Sequence, residues 1–142
     1  MNCSVLVVDD DDSVRKSILR TLSAAGIDAV GAGDASEALQ LALLHTPHLF
    51  IVDLHLASGH GNDAVRILRS CFSLQGIPAI ALSAAPEEAA PSLFETVLSK
   101  PCETKTLLGA IRRSLERASG AYQYSAAEQD QLSCSRTALS TN

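Results

Sequence analysis

The sequence predicts a doubly wound α/β fold, in which a five-stranded parallel sheet carries helices on both of its faces. Short apolar runs alternate along the chain with segments in which apolar residues recur at helical spacing. The runs are almost continuously apolar, which is typical of parallel strands buried on both faces. Several runs also end on a polar residue, as expected where parallel strands reach a common polar edge.

Five strands and five helical segments are predicted in alternation. The strands cover residues 4–8, 27–32, 49–53, 77–83 and 96–100. The helical segments cover residues 13–25, 34–46, 62–73, 84–95 and 103–118. The fourth segment is predicted to hold only a short or irregular helix, because Pro91 breaks a longer one.

Polar residues and a glycine mark the ends of the first two helices. Asp11 and Asp12 stand at the beginning of the first helix, where free backbone N–H groups and the helix dipole favour carboxylates. Gly26 stands just past its end, where a left-handed backbone is common. Asp34 and Glu37 have the spacing of a capping box at the beginning of the second helix.

Apolar residues at helical spacing predict which face of a helix meets the core. The first helix presents Val14, Ile18 and Leu22 at four-residue intervals. The third and last helices present corresponding faces, formed by Val65, Leu68 and Phe72 and by Leu107, Leu108, Ile111 and Leu115.

The composition is that of a soluble globular protein, with 46% hydrophobic and 19% charged residues. A net charge of −5 argues against a nucleic-acid-binding surface, which needs a basic patch. No apolar run reaches the length of a membrane span and the N-terminus lacks the features of a signal peptide, so we expect a cytoplasmic protein. Reduced thiols are expected at the four scattered cysteines, Cys3, Cys71, Cys102 and Cys134.

The character of the chain changes at residue 119. Residues 119–142 are rich in Ser, Ala, Gln and Thr and show no sustained apolar period. They are predicted to be a flexible tail or the start of a linker, with at most a short helix near residues 126–132. The predicted domain therefore covers residues 1–118.

Polar residues stand at the carboxyl ends of four of the predicted strands. They are Asp9 and Asp10 at the first strand, Asp53 at the third, Ser83 at the fourth and Lys100 at the fifth. Because the sites of open parallel sheets lie outside the carboxyl ends of the strands, we expect these side chains to share one pocket. Three carboxylates there predict a site for Mg²⁺, which takes oxygen ligands and keeps some of its waters.

These residues also predict a chemistry for Asp53. With a cation on one side and Ser83 and Lys100 on the other, its carboxylate can act as a nucleophile toward a phosphoryl group. The metal and the ammonium neutralise charge on the phosphoryl oxygens, which is most of what phosphoryl transfer asks of a protein. The alternative is a sheet edge whose polar loop residues are not coupled to one another.

Four segments resemble, in order and spacing, the motifs of the receiver domain of two-component response regulators: VLVVDDDDSVR, VDLHLASGHG, IALSA and VLSKP. The resemblance covers residues 1–118 and implies a (βα)₅ fold with the flavodoxin-like strand order 2-1-3-4-5. It implies transient phosphorylation of an aspartate by a sensor histidine kinase or a histidine phosphotransfer protein. Such a domain is not an enzyme in the usual sense, because it catalyses only its own phosphorylation and dephosphorylation.

The resemblance assigns the phosphoryl acceptor and the metal ligands. Asp53 resembles the phosphoacceptor, and Asp9 and Asp10 resemble the acidic pair that holds Mg²⁺, with Mn²⁺ as a substitute. The backbone carbonyl of His55 is implied as a further ligand, while its side chain either orients water near the phosphoryl group or is an exposed loop side chain. Surface positions are expected for the other three histidines, His45, His48 and His60.

The resemblance also assigns a switch, from which one part is missing. Ser83 resembles the switch hydroxyl and Lys100 the phosphoryl-contacting lysine, followed by Pro101 with an expected cis peptide bond. Val97 stands where the family has an aromatic residue, so switching must use a smaller side chain or another route. Ala85, two residues past Ser83, is small and leaves access to the pocket open.

Two further functions stay open. A phosphatase of the haloacid dehalogenase type also uses an aspartyl nucleophile with Mg²⁺, but that family needs a second aspartate where this chain has His55. A receiver-like binding module that takes no phosphate is the other alternative. Whether or not the chain is phosphorylated, if it acts by binding we expect an unknown downstream protein partner, no direct contact with nucleic acid or membrane, and a monomer or weak dimer.

Overall fold

Five parallel strands form the central sheet of the structure, a computed structural model that describes residues 4–117. The described residues contain seven strands in all, numbered in chain order: β1 (Ser4–Val8), β2 (Asp28–Ala32), β3 (Leu49–Asp53), β4 (His55–Leu56), β5 (Gly59–His60), β6 (Ala79–Ser83) and β7 (Thr96–Ser99). The two-residue strands β4 and β5 form a separate antiparallel hairpin.

The strands of the main sheet follow the order β2-β1-β3-β6-β7, and each neighbouring pair is parallel. If the two hairpin strands are left out of the numbering, this is the order 2-1-3-4-5 that the resemblance implied. The predicted fold class is therefore confirmed. The order reverses at β1, so the chain winds outward from the middle of the sheet in both directions.

Four α-helices lie within the described residues. They are α1 (Asp12–Ala24), α2 (Ala35–His45), α3 (Gly61–Arg69) and α4, which covers residues 104–117. Two short 3₁₀ turns, Phe72–Leu74 and Pro86–Glu88, follow α3 and β6. None of the helices within this part of the chain has the length and apolar character needed to cross a membrane.

The predicted helix ends at Asp11, Gly26 and Asp34 are confirmed. Asp11 caps α1, and its side chain accepts a hydrogen bond from the amide of Val14 at 3.1 Å. Asp34 caps α2 in the same way, through the amide of Glu37 at 2.8 Å. Gly26 follows α1 with a φ of +78°, a conformation that glycine adopts without a steric cost.

The core consists of two layers, one on each face of the sheet, because side chains along a strand alternate between the faces. One layer packs β1, β3 and β6 against α2 and α3, through Leu6, Val8, Phe50, Val52, Ala79, Ala81, Ala42, Val65 and Leu68. The other packs the same strands against α1 and α4, through Val5, Val7, Leu49, Ile51, Ile80, Leu82, Leu22, Leu107 and Ile111. The sheet is thus covered on both faces, as the continuous apolar strands predicted.

Helix α3 ends at Arg69, four residues before its predicted end, and the prediction that Phe72 faces the core is wrong. The Ser70 hydroxyl donates a hydrogen bond back to the carbonyl of Ile67 at 2.6 Å, where the chain leaves the helix. Phe72 then lies in the 3₁₀ turn and is 89% exposed, while Leu74 from the same turn is fully buried. The apolar spacing had continued past the point at which the backbone turns.

The segment after β6 forms only the 3₁₀ turn at Pro86–Glu88, which agrees with the short or irregular helix predicted there. Cys71 and Cys102 are free thiols, as expected for reduced cysteines. The predicted tail at residues 119–142, with its short helix, lies outside the described residues, as do Cys3 and Cys134.

Candidate functional site

The carboxyl ends of four neighbouring strands bring the predicted polar residues to one edge of the sheet. Backbone hydrogen bonds continue the strand pairing past the strand ends: the amide of Asp9 donates to Ala32 at 3.0 Å, and that of Lys100 donates to Ser83 at 2.9 Å. The residues that follow β1 and β7 are therefore held by the sheet itself. Rigid placement of this kind is what a preorganised site needs.

Three carboxylates meet at this edge. Asp9, Asp10 and Asp53 each offer an oxygen that lies within 4.8 Å of the others. Asp9 and Asp53 are buried, at 1% and 8% exposure, whereas Asp10 is exposed. Like charges at this distance repel unless a cation lies between them.

Lys100 supplies the positive charge in the pocket. Its Nζ lies 3.3 Å from Oδ2 of Asp53 and 3.6 Å from Oδ2 of Asp9. One ammonium against three carboxylates leaves an excess of negative charge, which suits a divalent cation.

The hydrogen bonding of Asp9 fits the role of a metal ligand. Its Oδ1 accepts the amide hydrogen of Asp11 at 2.9 Å, but its buried Oδ2 has no hydrogen-bond partner among residues 4–117. Burial raises the pKa of Asp9, although the bond from Asp11 and the charge of Lys100 act in the opposite direction. A buried carboxylate oxygen without a partner is costly in an apoprotein and is well suited to ligate a metal. The donor set therefore fits Mg²⁺ or Mn²⁺.

The loop after β3 is tied to the other two aspartates. Oδ1 of Asp53 accepts the amide hydrogen of His55 at 3.1 Å, so Oδ2 is the oxygen that faces Lys100. Oδ2 of Asp10 accepts the amide hydrogen of Ala57 at 2.7 Å. The exposed Asp10 carboxylate thus bridges the end of β1 to the loop that carries the acceptor.

Gly61 sets how closely α3 approaches the end of β3. A Cβ atom built at Gly61 would lie 2.5 Å from the carbonyl oxygen of Asp53 and 2.8 Å from Cα of Leu54. Both atoms belong to the backbone and cannot move aside cheaply. The absence of a side chain at this position therefore lets the first turn of α3 lie directly against the pocket.

Ser83 ends β6, and Ala85 begins the turn that follows it. Ser83 is fully buried, and its Oγ accepts the amide hydrogen of Ala85 at 2.8 Å. Within residues 4–117 this hydroxyl has no hydrogen bond to the carboxylates. Its position at the end of β6 places it at the same edge, but the structure joins it to its own turn rather than to the acids.

Strand β7 is less buried than strands β3 and β6. Val97 is 36% exposed, while its neighbour Leu98 packs into the core layer of α1 and α4. The Lys100–Pro101 peptide bond is cis. Cys102 follows, and burial raises the pKa of its thiol, which favours the protonated form.

Sequence analysis missed Arg15, which positions the acidic turn. Its Nη1 donates to the backbone carbonyl of Asp9 at 2.8 Å, and its guanidinium also pairs with Asp12. The spacing along α1 gave no signal for the contact with Asp9, because it depends on how the loop before the helix folds back.

Sequence analysis also missed a second polar cluster beside the pocket. The imidazoles of His55 and His60 both contact the carboxylate of Glu88. His55 and Glu88 are 33 positions apart, and no local pattern joins them. The His60 side chain is 30% exposed, and it also caps α3, because its Nδ1 accepts the amide hydrogen of Asn62 at 3.0 Å.

Comparisons with known proteins agree with this architecture. The family model described as the response regulator receiver domain matches residues 5–112. The DNA-binding response regulator MtrA of Mycolicibacterium smegmatis is 31% identical in an alignment over 122 residues that covers 82% of this chain and 52% of MtrA. The KDP operon transcriptional regulatory protein KdpE of Escherichia coli is 31% identical in an alignment over 119 residues that covers 80% of this chain and 52% of KdpE.

The fold is also that of a solved receiver protein. The chemotaxis protein CheY4 of Vibrio cholerae superposes with a TM-score of 0.73 at 28% identity, over 81% of this chain and all of that protein. The chain spans only about half the length of the curated relatives MtrA and KdpE. The family model and the shared strand order lead to one conclusion: the chain belongs to the receiver domain family of two-component response regulators.

Proposed function

We propose that this chain is a phosphorylation switch in which Asp53 accepts a phosphoryl group from a sensor histidine kinase or a histidine phosphotransfer protein. The observation that carries the proposal is the placement of the Asp53 carboxylate between two other carboxylates and the Lys100 ammonium. Phosphorylation then changes the binding of a downstream protein partner. The only reactions that the chain promotes are its own phosphorylation and dephosphorylation.

The carboxylates of Asp9, Asp10 and Asp53 and the carbonyl of His55 are proposed to hold Mg²⁺ or Mn²⁺. When bound, the ion neutralises charge on the phosphoryl oxygens. No hydrogen bond from residues 4–117 reaches Oδ2 of Asp9, which supports the role of this oxygen as a ligand. Arg15 holds the backbone of this acidic turn from outside the pocket.

Asp53 acts as the nucleophile. One of its carboxylate oxygens forms the new P–O bond while the P–N bond to the donor imidazole breaks, and the imidazole nitrogen keeps the bonding pair. The amide of His55 holds Oδ1 and fixes the plane of the carboxylate. Lys100, at 3.3 Å from Oδ2, is close enough to contact the transferred group and to balance its charge.

The switch is proposed to act through Ser83. A phosphoryl oxygen on Asp53 offers the buried hydroxyl a stronger acceptor, because hydrogen bonds to charged oxygens are roughly twice as strong as neutral ones. Movement of Ser83 draws in the turn that begins at Ala85, whose amide is bonded to Oγ. Val97 is exposed and has no aromatic ring to swing inward, so this turn is the proposed route of the signal.

We propose residues 1–118 as the receiver domain and residues 119–142 as a tail or linker. MtrA is named a DNA-binding response regulator, but we assign no DNA contact to this chain, whose net charge is −5. The proposed partner is a protein, and the proposed state is a monomer or weak dimer.

The test is a comparison of wild type with Asp53→Asn in Mg²⁺ buffer containing beryllium fluoride or acetyl phosphate, followed by NMR chemical shifts. We expect shifts around Asp53 and in the turn Pro86–Glu88 of the wild type, and none in the variant. Lys100→Ala should still accept the phosphoryl group but should lose the shifts in the turn. If the wild type shows no shifts, the chain is a binding module that takes no phosphate. Steady turnover of a phosphomonoester would instead indicate a phosphatase.

A further inference from the structure

A second set of metal-ligating side chains lies beside the acidic pocket. Nε2 of His55 is 2.6 Å from Oε1 of Glu88, and Nε2 of His60 is 3.4 Å from the same oxygen. The ligand atoms of the three side chains all lie within 4.8 Å of one another. We call these three residues the His–Glu cluster.

The hairpin between β3 and α3 presents the two histidines together. His55 and His60 are direct partners across the β4–β5 pair, and their rings meet edge to face with centroids 5.7 Å apart. Residues that face each other across two strands have their side chains on the same side of the hairpin. The backbone therefore sets the spacing of the two imidazoles before any ion binds.

Glu88 is held in place independently of its carboxylate. The Asn62 side chain donates from Nδ2 to the backbone carbonyl of Glu88 at 2.9 Å and accepts the amide hydrogen of Ala90 at 3.0 Å. These two bonds fix the turn after β6 against the first turn of α3. The third ligand is thus preorganised by contacts that metal binding does not use.

We propose that the His–Glu cluster binds Zn²⁺ or a similar transition metal through Nε2 of His55, Nε2 of His60 and a carboxylate oxygen of Glu88. Two imidazoles and one carboxylate are a donor set that zinc takes, whereas Mg²⁺ prefers oxygen ligands. The three side chains are 30–51% exposed, which leaves room for water to complete a tetrahedral site. Hydrogen bonds from the two imidazoles lower the pKa of Glu88, which keeps its carboxylate ionised.

Metal binding has a consequence for the beginning of α3. Nδ1 of His60 accepts the amide hydrogen of Asn62, so the neutral ring carries its proton on Nε2. Ligation through Nε2 moves that proton to Nδ1, and the amide of Asn62 loses its acceptor. A zinc ion in the cluster should therefore shift the Asn62 amide resonance.

The ion would join the hairpin after Asp53 to the turn after Ser83. The proposed switch moves this turn, so a bound metal opposes that movement, a consequence that rests on the proposed function. We expect the beryllium fluoride shifts in the turn Pro86–Glu88 to be smaller in zinc-loaded wild type. Full-sized shifts with zinc bound would refute this part of the proposal.

The binding test uses the full chain with a reductant and saturating Mg²⁺, which occupies the carboxylate pocket. Zn²⁺ is titrated by calorimetry and by NMR into wild type, His55→Ala and Glu88→Gln. We expect each variant to bind at least about tenfold more weakly, because even the loss of an outer partner of a metal site costs that much. The control is His45→Ala, which removes an exposed histidine from α2 and should bind like wild type.

Three outcomes would overturn the metal site. The first is that His55→Ala and Glu88→Gln bind Zn²⁺ as tightly as wild type. The second is that zinc binds without shifting the Asn62 amide resonance. A Co²⁺ derivative with a thiolate charge-transfer band would place the ion on cysteines instead. Asp53→Asn should bind Zn²⁺ like wild type, so failure of the phosphorylation proposal is distinguishable from failure of this one.

Discussion

Neutralising Asp9 should stabilise the protein when no divalent cation is present. The change is Asp9→Asn, which keeps the size of the side chain and the oxygen that accepts the Asp11 amide. It removes the charge of a carboxylate that is 1% exposed and whose other oxygen receives no hydrogen bond from the described part of the chain. The substitution therefore tests whether this edge of the sheet is built for a cation.

The structure gives the size of the effect. Each neighbouring carboxylate has an oxygen within 4.8 Å of an Asp9 oxygen, and at that limit it repels Asp9 by about 3.5 kcal/mol at an effective dielectric constant of about 20. Lys100, at 3.6 Å, attracts it by about 4.6 kcal/mol on the same scale. The two repulsions exceed the attraction by about 2 kcal/mol. Solvent reduces the repulsion from exposed Asp10, so we expect Asp9→Asn to raise the free energy of unfolding by about 1–2 kcal/mol.

The assay is urea unfolding in EDTA and in saturating Mg²⁺. Mg²⁺ at about a hundred times its Kd should stabilise the wild type by about 2.7 kcal/mol and the variant much less, which reverses their order. The control is Asp28→Asn, which removes the same charge at the exposed beginning of β2 and should change stability by less than about 0.5 kcal/mol.

The pH dependence in EDTA follows from the raised pKa of Asp9. An aspartate with a raised pKa binds its proton more tightly in the folded state, so its ionisation costs stability. The cost is complete above the folded pKa and disappears as the pH falls through that value toward the ordinary 3.8. The advantage of Asp9→Asn should therefore shrink on acidification. A variant less stable than wild type in EDTA at neutral pH would refute the reasoning.

Two predictions concern the surroundings of the pocket and are measured by urea unfolding. Gly61→Ala should cost about 1–3 kcal/mol, because its Cβ meets backbone, whereas Gly76→Ala meets open space and should change little. Equal stabilities would contradict the close approach of α3. Arg69→Met should cost about 2 kcal/mol or more, since two backbone carbonyls lose their donor. Arg66→Met breaks only an exposed ion pair and should cost less than about 0.5 kcal/mol, so a similar loss in both variants would refute the role of Arg69.

The strands were predictable because each is a short, mainly apolar run bounded by polar or turn residues, whereas their order came from the resemblance to receiver domains. All five residues of Leu49–Asp53 are buried, as its continuous apolar character indicated. Caps were predictable for a related reason: Asp34 acts on a backbone amide only three positions away. Local chemistry of this kind is written into the sequence.

Phe72 shows where local patterns stop being informative. Apolar spacing records which residues would share a helical face, but it does not record where the helix ends. Here the backbone turns after Arg69, and Leu74 takes the buried position in place of Phe72. The end of α3 is determined by tertiary packing, and the spacing of apolar residues carries no information about that packing.

The acidic pocket could be predicted from the sequence, whereas the His–Glu cluster could not. Strand order alone brings Asp9, Asp53 and Lys100 to one edge, so a sequence that predicts the order also predicts their meeting. Glu88 meets the two histidines through loop conformations that depend on Asn62 and on the hairpin. No spacing rule reaches across 33 positions of loop and helix.

The charge of the pocket links stability to function. The buried Asp9 carboxylate destabilises the folded chain, because within residues 4–117 its Oδ2 faces Lys100 at 3.6 Å but receives no hydrogen bond. The apolar layers on both faces of the sheet supply the stability that offsets this cost. The same unmet charge increases the affinity for a divalent cation, since binding removes the repulsion that folding created. Replacing Asp9 by a neutral residue therefore gains stability and loses cation affinity through one interaction. The two effects should be of similar size, and measuring both in one variant tests whether they share this origin.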